Sequence, residues 1–379
     1  MVAINNDVEE SISLELAEPI DAVGRLDIVT SRSAFFVRYN TGTATLVSPN
    51  KILTAAHIID PDLDGQIDVE DPSEYSFLLG DDLDDFGEGA EQNLQISQVS
   101  LHPSWVASET NRVQEIDGKE VINSQYDLAV LTLETNVTDV PPIPIAPNIV
   151  ELADSASLLG KKGTIVGYGK FGSTSANSAG DGSRRAAENI IDSVENGLIR
   201  FDYDSPYEYQ QDLDTGINHP NLDGSTPELI PVPDSSPIPI PLEGGTGQGD
   251  SGGPLLVASD LGTPVVVGVA SQFIDTEVII SALSGYGSVY VYSALNDPAT
   301  LEFLAAENIV NLEPAIATSA VVGSDFEAVD TELSGNDISA TIPNLEFSEI
   351  DSSPLEQADI LIAQDELNLS PNDDSIDFI

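Results

Sequence analysis

Gly249-Asp250-Ser251-Gly252-Gly253-Pro254, GDSGGP, stands immediately before the apolar run Leu255-Leu256-Val257. An acid, a serine and paired glycines at the mouth of a strand are a place where a hydroxyl can be presented on a tight turn. A neutral serine hydroxyl is a poor nucleophile, so a chemical reading needs a base within hydrogen-bond reach and an acceptor that orients the base. Both must come from elsewhere in the chain.

Only His57, His102 and His219 can supply the base. His57 follows the strand-like KILTAA (51–56), where a histidine can stand at the end of an apolar strand facing a cleft. His102 and His219 each precede a proline in turn-like contexts, which favours structural or solvated roles. The orienting acid should abut an apolar strand, and Asp127 in YDLAVL (126–131) does. Most other carboxylates sit in acidic, loop-like runs and read as solvated.

Short runs rich in Val, Ile, Leu, Thr and Tyr surround these residues, separated by Gly, Asp and Pro clusters. They include AFFVRYN (34–40), TATLVS (43–48), YSFLLG (75–80), LQISQVSLH (94–102), GTIVGYG (163–169), PVVVGVASQF (264–273) and GSVYVYS (287–293). Many short strands with turn signals between them predict an all-β barrel or sandwich. One helix is predicted near the end of this region, with Asp297 as cap, Pro298 at its first position and TLEFLAA (300–306) as its body.

TAAH (54–57), YDLAVL (126–131) and GDSGGP (249–254), in that order, resemble the trypsin- or chymotrypsin-like serine endopeptidases in a cysteine-free, bacterial-type form. GTATLVS (42–48), LHPSW (101–105) and GYG (167–169) agree with it, and the likeness spans about residues 22 to 307. The resemblance implies two six-stranded antiparallel β-barrels, a C-terminal helix, and an active site in the crevice between the barrels. It implies that Ser251 attacks a peptide carbonyl, that His57 moves the proton and that Asp127 fixes the imidazole, with the amides of Gly249 and Ser251 as the oxyanion hole.

Counting back from Ser251, the resemblance places Gly245 at the floor of the primary pocket, Ser271 and Phe273 on its wall strand and Ser288 on the opposite wall. With no carboxylate at the floor, cleavage after Lys or Arg is not expected. In the family a newly cut N-terminus pairs with the acid before the serine, here Asp250. Ala22-Val23-Gly24-Arg25 falls where the family has its activation sequence, matching at the second and third positions. Residues 1–21 are accordingly expected as a pro-segment, and the protease domain over 22–309.

Two acidic stretches are calcium candidates. Asp81, Glu88 and Glu91, with the carbonyls of Leu83 and Phe86, repeat the spacing of the family's calcium loop. Asp60, Asp62, Asp64, Gly65, Asp68 and Asp71 fit an EF-hand loop, with Asp in place of Glu at the last position and no flanking helix pair evident. Any calcium is expected to be structural, with the chemistry itself needing no cofactor.

Composition limits the partners. The 379 residues hold 65 acidic against 12 basic side chains, a net charge of −53, and Arg200 is the last basic residue. Such a field repels nucleic acid and anionic lipid and attracts cations. The chain has no cysteine, which excludes disulfides, thiolate zinc sites and a cysteine nucleophile. No apolar run is long enough to span a bilayer, and the first residues lack the pattern of a Sec-type signal. The Pro- and Asp-rich stretch 201–245 reads as a long surface loop, and 310–379 as an acidic tail ending in DDSIDFI, similar to the ends of type I export substrates. The expectation is a secreted, monomeric, calcium-stabilised endopeptidase acting on polypeptides. A protease-fold binding protein without turnover is the alternative, and a calcium-binding surface protein would explain the charge but not GDSGGP.

Overall fold

The computed structural model describes residues 3–4, 10–33, 37–83, 87, 89–107, 113–116, 119–170, 181–204, 239–274 and 288–310. The chain divides into a unit over Met1–Ile316 and another over Ala317–Ile379. The acidic tail from 311, residues 205–238 of the predicted 201–245 loop, and His219 lie outside the described residues, while the two ends of that stretch are strand rather than loop, at 201–202 and 244–245.

In chain order the elements are β1 (Ala3–Ile4), α1 (Glu10–Ala17), β2 (Val23–Arg32), β3 (Val37–Ser48), β4 (Lys51–Thr54), α2 (Ala56–Ile59), β5 (Tyr75–Leu79), β6 (Gln92–Leu101) and α3 (Pro103–Ala107). There follow β7 (Val113–Ile116), β8 (Lys119–Ile122), β9 (Ala129–Leu133), β10 (Lys162–Gly167), β11 (Arg185–Ile190), β12 (Ser193–Glu195) and β13 (Leu198–Asp202). The last are β14 (Gly244–Gly245), β15 (Pro254–Ala258), β16 (Pro264–Ile274), β17 (Val289–Ala294) and α4 (Pro298–Ala306).

Six strands close into a barrel in the order β2-β3-β4-β9-β6-β5. Leu26, Leu46, Ile52, Leu53, Phe77 and Val130 on its strands are fully buried, on both the inward face and the face covered by the rest of the fold. Strand β2 carries Arg25 and Asp27 two residues apart and therefore on one face. They pair with each other, Nη2 to Oδ2 at 2.8 Å, so both charges can be buried.

The second sheet has seven antiparallel strands, β11-β10-β15-β16-β17-β13-β12, where a six-stranded barrel was expected. It curls around Phe201, Tyr290 and Tyr292, the two tyrosine rings packing at a tilt with centroids 5.6 and 5.4 Å from that of Phe201. Its β11 edge is covered: Ser13 Oγ of α1 donates to the Ala186 carbonyl at 2.6 Å, and Glu188 bridges to Glu243 beside β14. Covered edges leave no open ladder for another chain to join. Helix α4 forms as predicted, with the Asp297 carboxylate accepting the Ala299 amide at 3.0 Å.

Candidate active site

Strands β4 and β9 pair so that Thr54 faces Ala129. The next residues along β4 lead, through extended Ala55, into the single turn of α2 that carries His57. On β9 the preceding residues lead back to Asp127, at the end of a 3₁₀ turn over Ser124–Tyr126 whose first amides are capped by Asn123. Two adjacent strands thus carry His57 and Asp127 to one end of the barrel.

They meet there through two hydrogen bonds. The His57 amide donates to Asp127 Oδ1 at 2.8 Å, and His57 Nδ1 lies 2.7 Å from Oδ2. Asp127 is wholly buried, while the His57 side chain keeps 17% of its surface exposed. Burial opposes charge on both groups, but each is outweighed by the other's charge and hydrogen bonds. The His57 pKa is raised and that of Asp127 is lowered.

A third donor reaches the carboxylate. Ser271 Oγ, on the strand expected to form the pocket wall, donates to Asp127 Oδ2 at 2.5 Å and so aims its hydroxyl at the buried acid. The reason is local. The register between β16 and β17 slips between Ala270 and Gln272, leaving Ser271 as the extra residue of a β-bulge, a device that re-aims a side chain.

Ser251 sits on the turn leading into β15. Gly252 in that turn has φ +82°, and a Cβ there would lie 2.1 Å from Thr54 Oγ1, 2.3 Å from the Thr43 carbonyl and 3.0 Å from the Ala55 amide. The serine turn is therefore pressed against the strand end just before His57, and only glycine permits that approach. The Thr43 amide donates to the Ser251 carbonyl at 2.8 Å and locks the contact. The described hydrogen bonds do not include one between Ser251 Oγ and His57, a contact that is often long before substrate binds.

The amides of Asp250, Gly252 and Gly253 are used within the protein, donating to the carbonyls of Gly247, Ala270 and Asp250. Among the described residues, the amides of Gly249 and Ser251 donate to no protein acceptor. Gly249 has φ +101°, and a Cβ would come within 2.9 Å of Gly169 Cα. Asp250, fully buried, accepts the Gly169 amide at 2.7 Å on Oδ1 and the Gly247 amide at 2.8 Å on Oδ2. Gly167 lies against the same carboxylate, where a Cβ would meet Oδ1 at 2.2 Å. The GYG stretch thus has a steric reason that spacing alone did not supply.

Gly245 lies in β14, and a Cβ there would fall 1.8 Å from the Tyr290 ring, so an aromatic face occupies the position expected for a pocket-floor side chain. Ser288 is buried, and its carbonyl accepts the Tyr203 amide at 3.1 Å. Phe273 pairs with Tyr290 along β16, and its side chain lies outside the described residues. His102 is structural: buried, stacked on Tyr126 at 4.8 Å and edge-on to Phe303, with burial holding its pKa down at about 4.

The acidic stretches divide. Asp60, Asp62, Asp64 and Asp68 bring carboxylate oxygens within 4.8 Å of one another. Asp60 is buried and fixed by the amides of Asp64 and Gly65 and by Trp105 Nε1 at 2.8 Å. Burial, followed by the charges of Asp62, Asp60 and Asp64, raises the Asp68 pKa. Asp71 does not join them. It caps the short turn Pro72–Glu74, accepting the Ser73 amide at 3.0 Å. In the other loop, the Asp81 carboxylate is bound by Arg184 and the Leu83 carbonyl by Arg25 Nη1 at 3.5 Å. Two guanidinium groups therefore occupy oxygens expected to hold calcium. Glu91 joins no carboxylate cluster among the described residues, and Phe86 and Glu88 lie outside them.

Residues 28–200 match the family model described as Trypsin. Most of the barrel, with His57 and Asp127, falls within that match, and the GDSGGP turn comes after it on the second sheet. That match supports a trypsin/chymotrypsin-like serine protease family for this region. No curated protein matches it.

Proposed function

We propose that the chain is an endopeptidase in which Ser251, His57 and Asp127 form a proton relay and the amides of Gly249 and Ser251 bind the oxyanion. The observation that carries this reading is a histidine clamped by a buried acid beside a serine turn with two unbonded amides. Ser251 Oγ attacks the peptide carbonyl carbon while its proton passes to His57 Nε2. The carbonyl oxygen becomes an oxyanion held by the two amides, preorganised donors that stabilise charge as it forms. On collapse the C–N bond breaks, His57 Nε2 returns the proton to the leaving amine, and an ester to Ser251 remains. Water then attacks that ester with His57 again taking the proton, which releases the acid and restores the hydroxyl. Asp127 holds the imidazole with Nδ1 protonated throughout.

Calcium has a place in this reading at Asp60, Asp62, Asp64 and Asp68 only. Four carboxylates converging on one spot fit a hard cation, which would lower their mutual repulsion. Asp60 follows α2, so an ion there would stiffen the turn that carries His57. Asp81 and Leu83 do not fit a cation, because arginines already bind them. Export of a monomer that acts on polypeptides, through its acidic C-terminal tail, completes the reading.

The test is labelling with an organofluorophosphonate. Covalent modification at Ser251, lost in Ser251→Ala and in His57→Ala, supports the relay. Failure of the intact protein to react would leave a protease-fold binding protein.

A further inference from the structure

We propose that the N-terminal segment up to Ala22 is a working part of the active enzyme, a clip that holds the serine turn in shape, so that its removal lowers activity. The inference rests on the proteolytic reading above and reverses the sign expected of a pro-segment.

Three observations converge. First, the segment is built into the fold. Ser13 and Ala17 of α1 are buried, Ser13 bonds β11, and the nearly inaccessible guanidinium groups of Arg184 and Arg185 reach out to Asp21 and Glu10. Arg184 also donates to the Glu18 carbonyl at 3.4 Å. Second, the sequence expected as a new terminus is already barrel strand. Ala22 is 3% exposed, its carbonyl accepts the Leu46 amide at 2.8 Å, and Val23 pairs with Thr45. A cut before Ala22 would create an ammonium ion at a buried position, which is costly without a partner.

Third, two routes lead from the segment to Asp250. Arg184 Nη1 and Tyr168 Oη both donate to the Val23 carbonyl, at 3.2 and 3.1 Å, and the neighbouring Gly169 amide holds Asp250 Oδ1. On the other side β1 pairs antiparallel with β14, Ala3 opposite Gly245 and Ile4 opposite Gly244. The N-terminal end of β1 therefore points the way the chain runs from Gly245 to Gly247, whose amide holds Asp250 Oδ2. Asp250 precedes the nucleophile and lies between the two oxyanion amides, so both routes act on the geometry of that hole. The segment is a positioning element, and it touches no reacting atom.

The experiment labels the purified full chain with an organofluorophosphonate and weighs the labelled protein intact. Two variants are run beside it: a chain beginning at Ala22, and a full chain carrying Glu10→Gln with Ser13→Ala. The labelled full chain is expected to retain Glu10–Asp21. The shortened chain should acylate at least about tenfold more slowly at saturating probe, a fraction of the ~10²–10³ lost with a whole oxyanion donor. The double variant should slow about threefold with probe affinity unchanged, a split that a purely structural role would not give. Label found only on protein cut before Ala22 would overturn the inference. If the shortened chain fails to fold, unchanged or faster labelling of the double variant would do the same. Absence of label from every form, cut or uncut, would instead defeat the proteolytic reading itself.

Discussion

Replacing Asp127 by asparagine changes one atom at the most buried point of the site, and the two hydrogen bonds to His57 set the consequence. Oδ1 accepts the His57 amide and Oδ2 faces Nδ1. If the asparagine carbonyl takes the Oδ1 place, its NH₂ faces Nδ1, which must then accept. The imidazole becomes the tautomer protonated on Nε2, unable to take a proton from Ser251. If the amide flips, the NH₂ meets the His57 N–H, and a buried donor is left unsatisfied at about 1–3 kcal/mol. The productive tautomer thus requires the unfavourable flip, and the imidazolium formed during reaction also loses a charge-assisted bond worth about 1.5–3 kcal/mol. Together these come to about 2.5–6 kcal/mol, or a loss of between roughly 10² and somewhat over 10⁴ in kcat/KM at ~1.36 kcal/mol per decade.

The assay is steady-state cleavage of a peptide chosen from a library digest. Parent and Asp127→Asn proteins are compared at equal active-site concentration, with thermal melts confirming that both fold. The loss should fall on kcat, since neither residue contributes to ground-state binding of the peptide in this scheme. An Asp127→Asn protein cleaving within tenfold of the parent would refute the assignment of Asp127 as the group that orients the base.

Four further outcomes are expected. The base works when neutral, and Asp127 raises the His57 pKa, so kcat/KM should rise with pH through a midpoint above the ordinary ~6.5, and a midpoint below it would contradict the pairing. The same shift stabilises the fold fully below ~6.5 and is lost as pH rises through the folded value, so melting measured across that window should show stability declining where activity climbs. Gly252→Ala forces a side chain into a φ of +82° and into the Thr43 carbonyl, and should lower the melting temperature by at least about 5 °C while abolishing Ser251 labelling. Calcium at about a hundred times its dissociation constant should stabilise the protein by ~2.7 kcal/mol, a rise of roughly 5–10 °C, and Asp64→Asn with Asp68→Asn should remove that rise while Asp81→Asn leaves it intact.

Much of this was legible because the chemistry sits on strands whose apolar runs announce themselves. β4, β9, β15, β16 and β17 all overlap apolar runs marked from sequence, and α4 forms where a helix was marked. Among the elements that were not legible, three have a clear physical reason. β2 hides its pattern behind Arg25 and Asp27, which are buried only because they neutralise each other. β11, RAAENI, buries arginine, asparagine and two alanines, and nothing in that composition announces a sheet edge under a helix. Helix α1 buries only the small Ser13 and Ala17, so its acidic face dominates the sequence. The bulge that turns Ser271 toward Asp127 depends on register with β17, a long-range property. Likewise, nothing local to Asp81 tells that Arg184, 103 residues away, will take its carboxylate. Spacing could mark candidate ligands there, but not the competing cation.

The charge imbalance explains how this site is held. With no lysine or arginine after Arg200, carboxylates beyond that point cannot be neutralised by cations nearby in the chain. The fold answers there with backbone amides: Asp250 accepts those of Gly247 and Gly169, and Glu243 those of Asp204 and Ile240, and Asp127, earlier in the chain, likewise accepts that of His57. Amides are fixed by the strands and turns that carry them, so such a carboxylate is held only while its local backbone keeps its shape. Desolvation shows the limit of the device, for two amide bonds do not stop burial from pushing the Glu243 pKa up to about 8. Two arginines tie separate segments, Arg184 joining Asp21 to Asp81 and Arg185 joining Glu10 to Asp181. The serine turn therefore depends on backbone order, and that order depends in turn on the few cations that fasten the N-terminal segment. In a chain so poor in positive charge, this makes Arg184 and Arg185 costlier to lose than their distance from Ser251 in sequence implies.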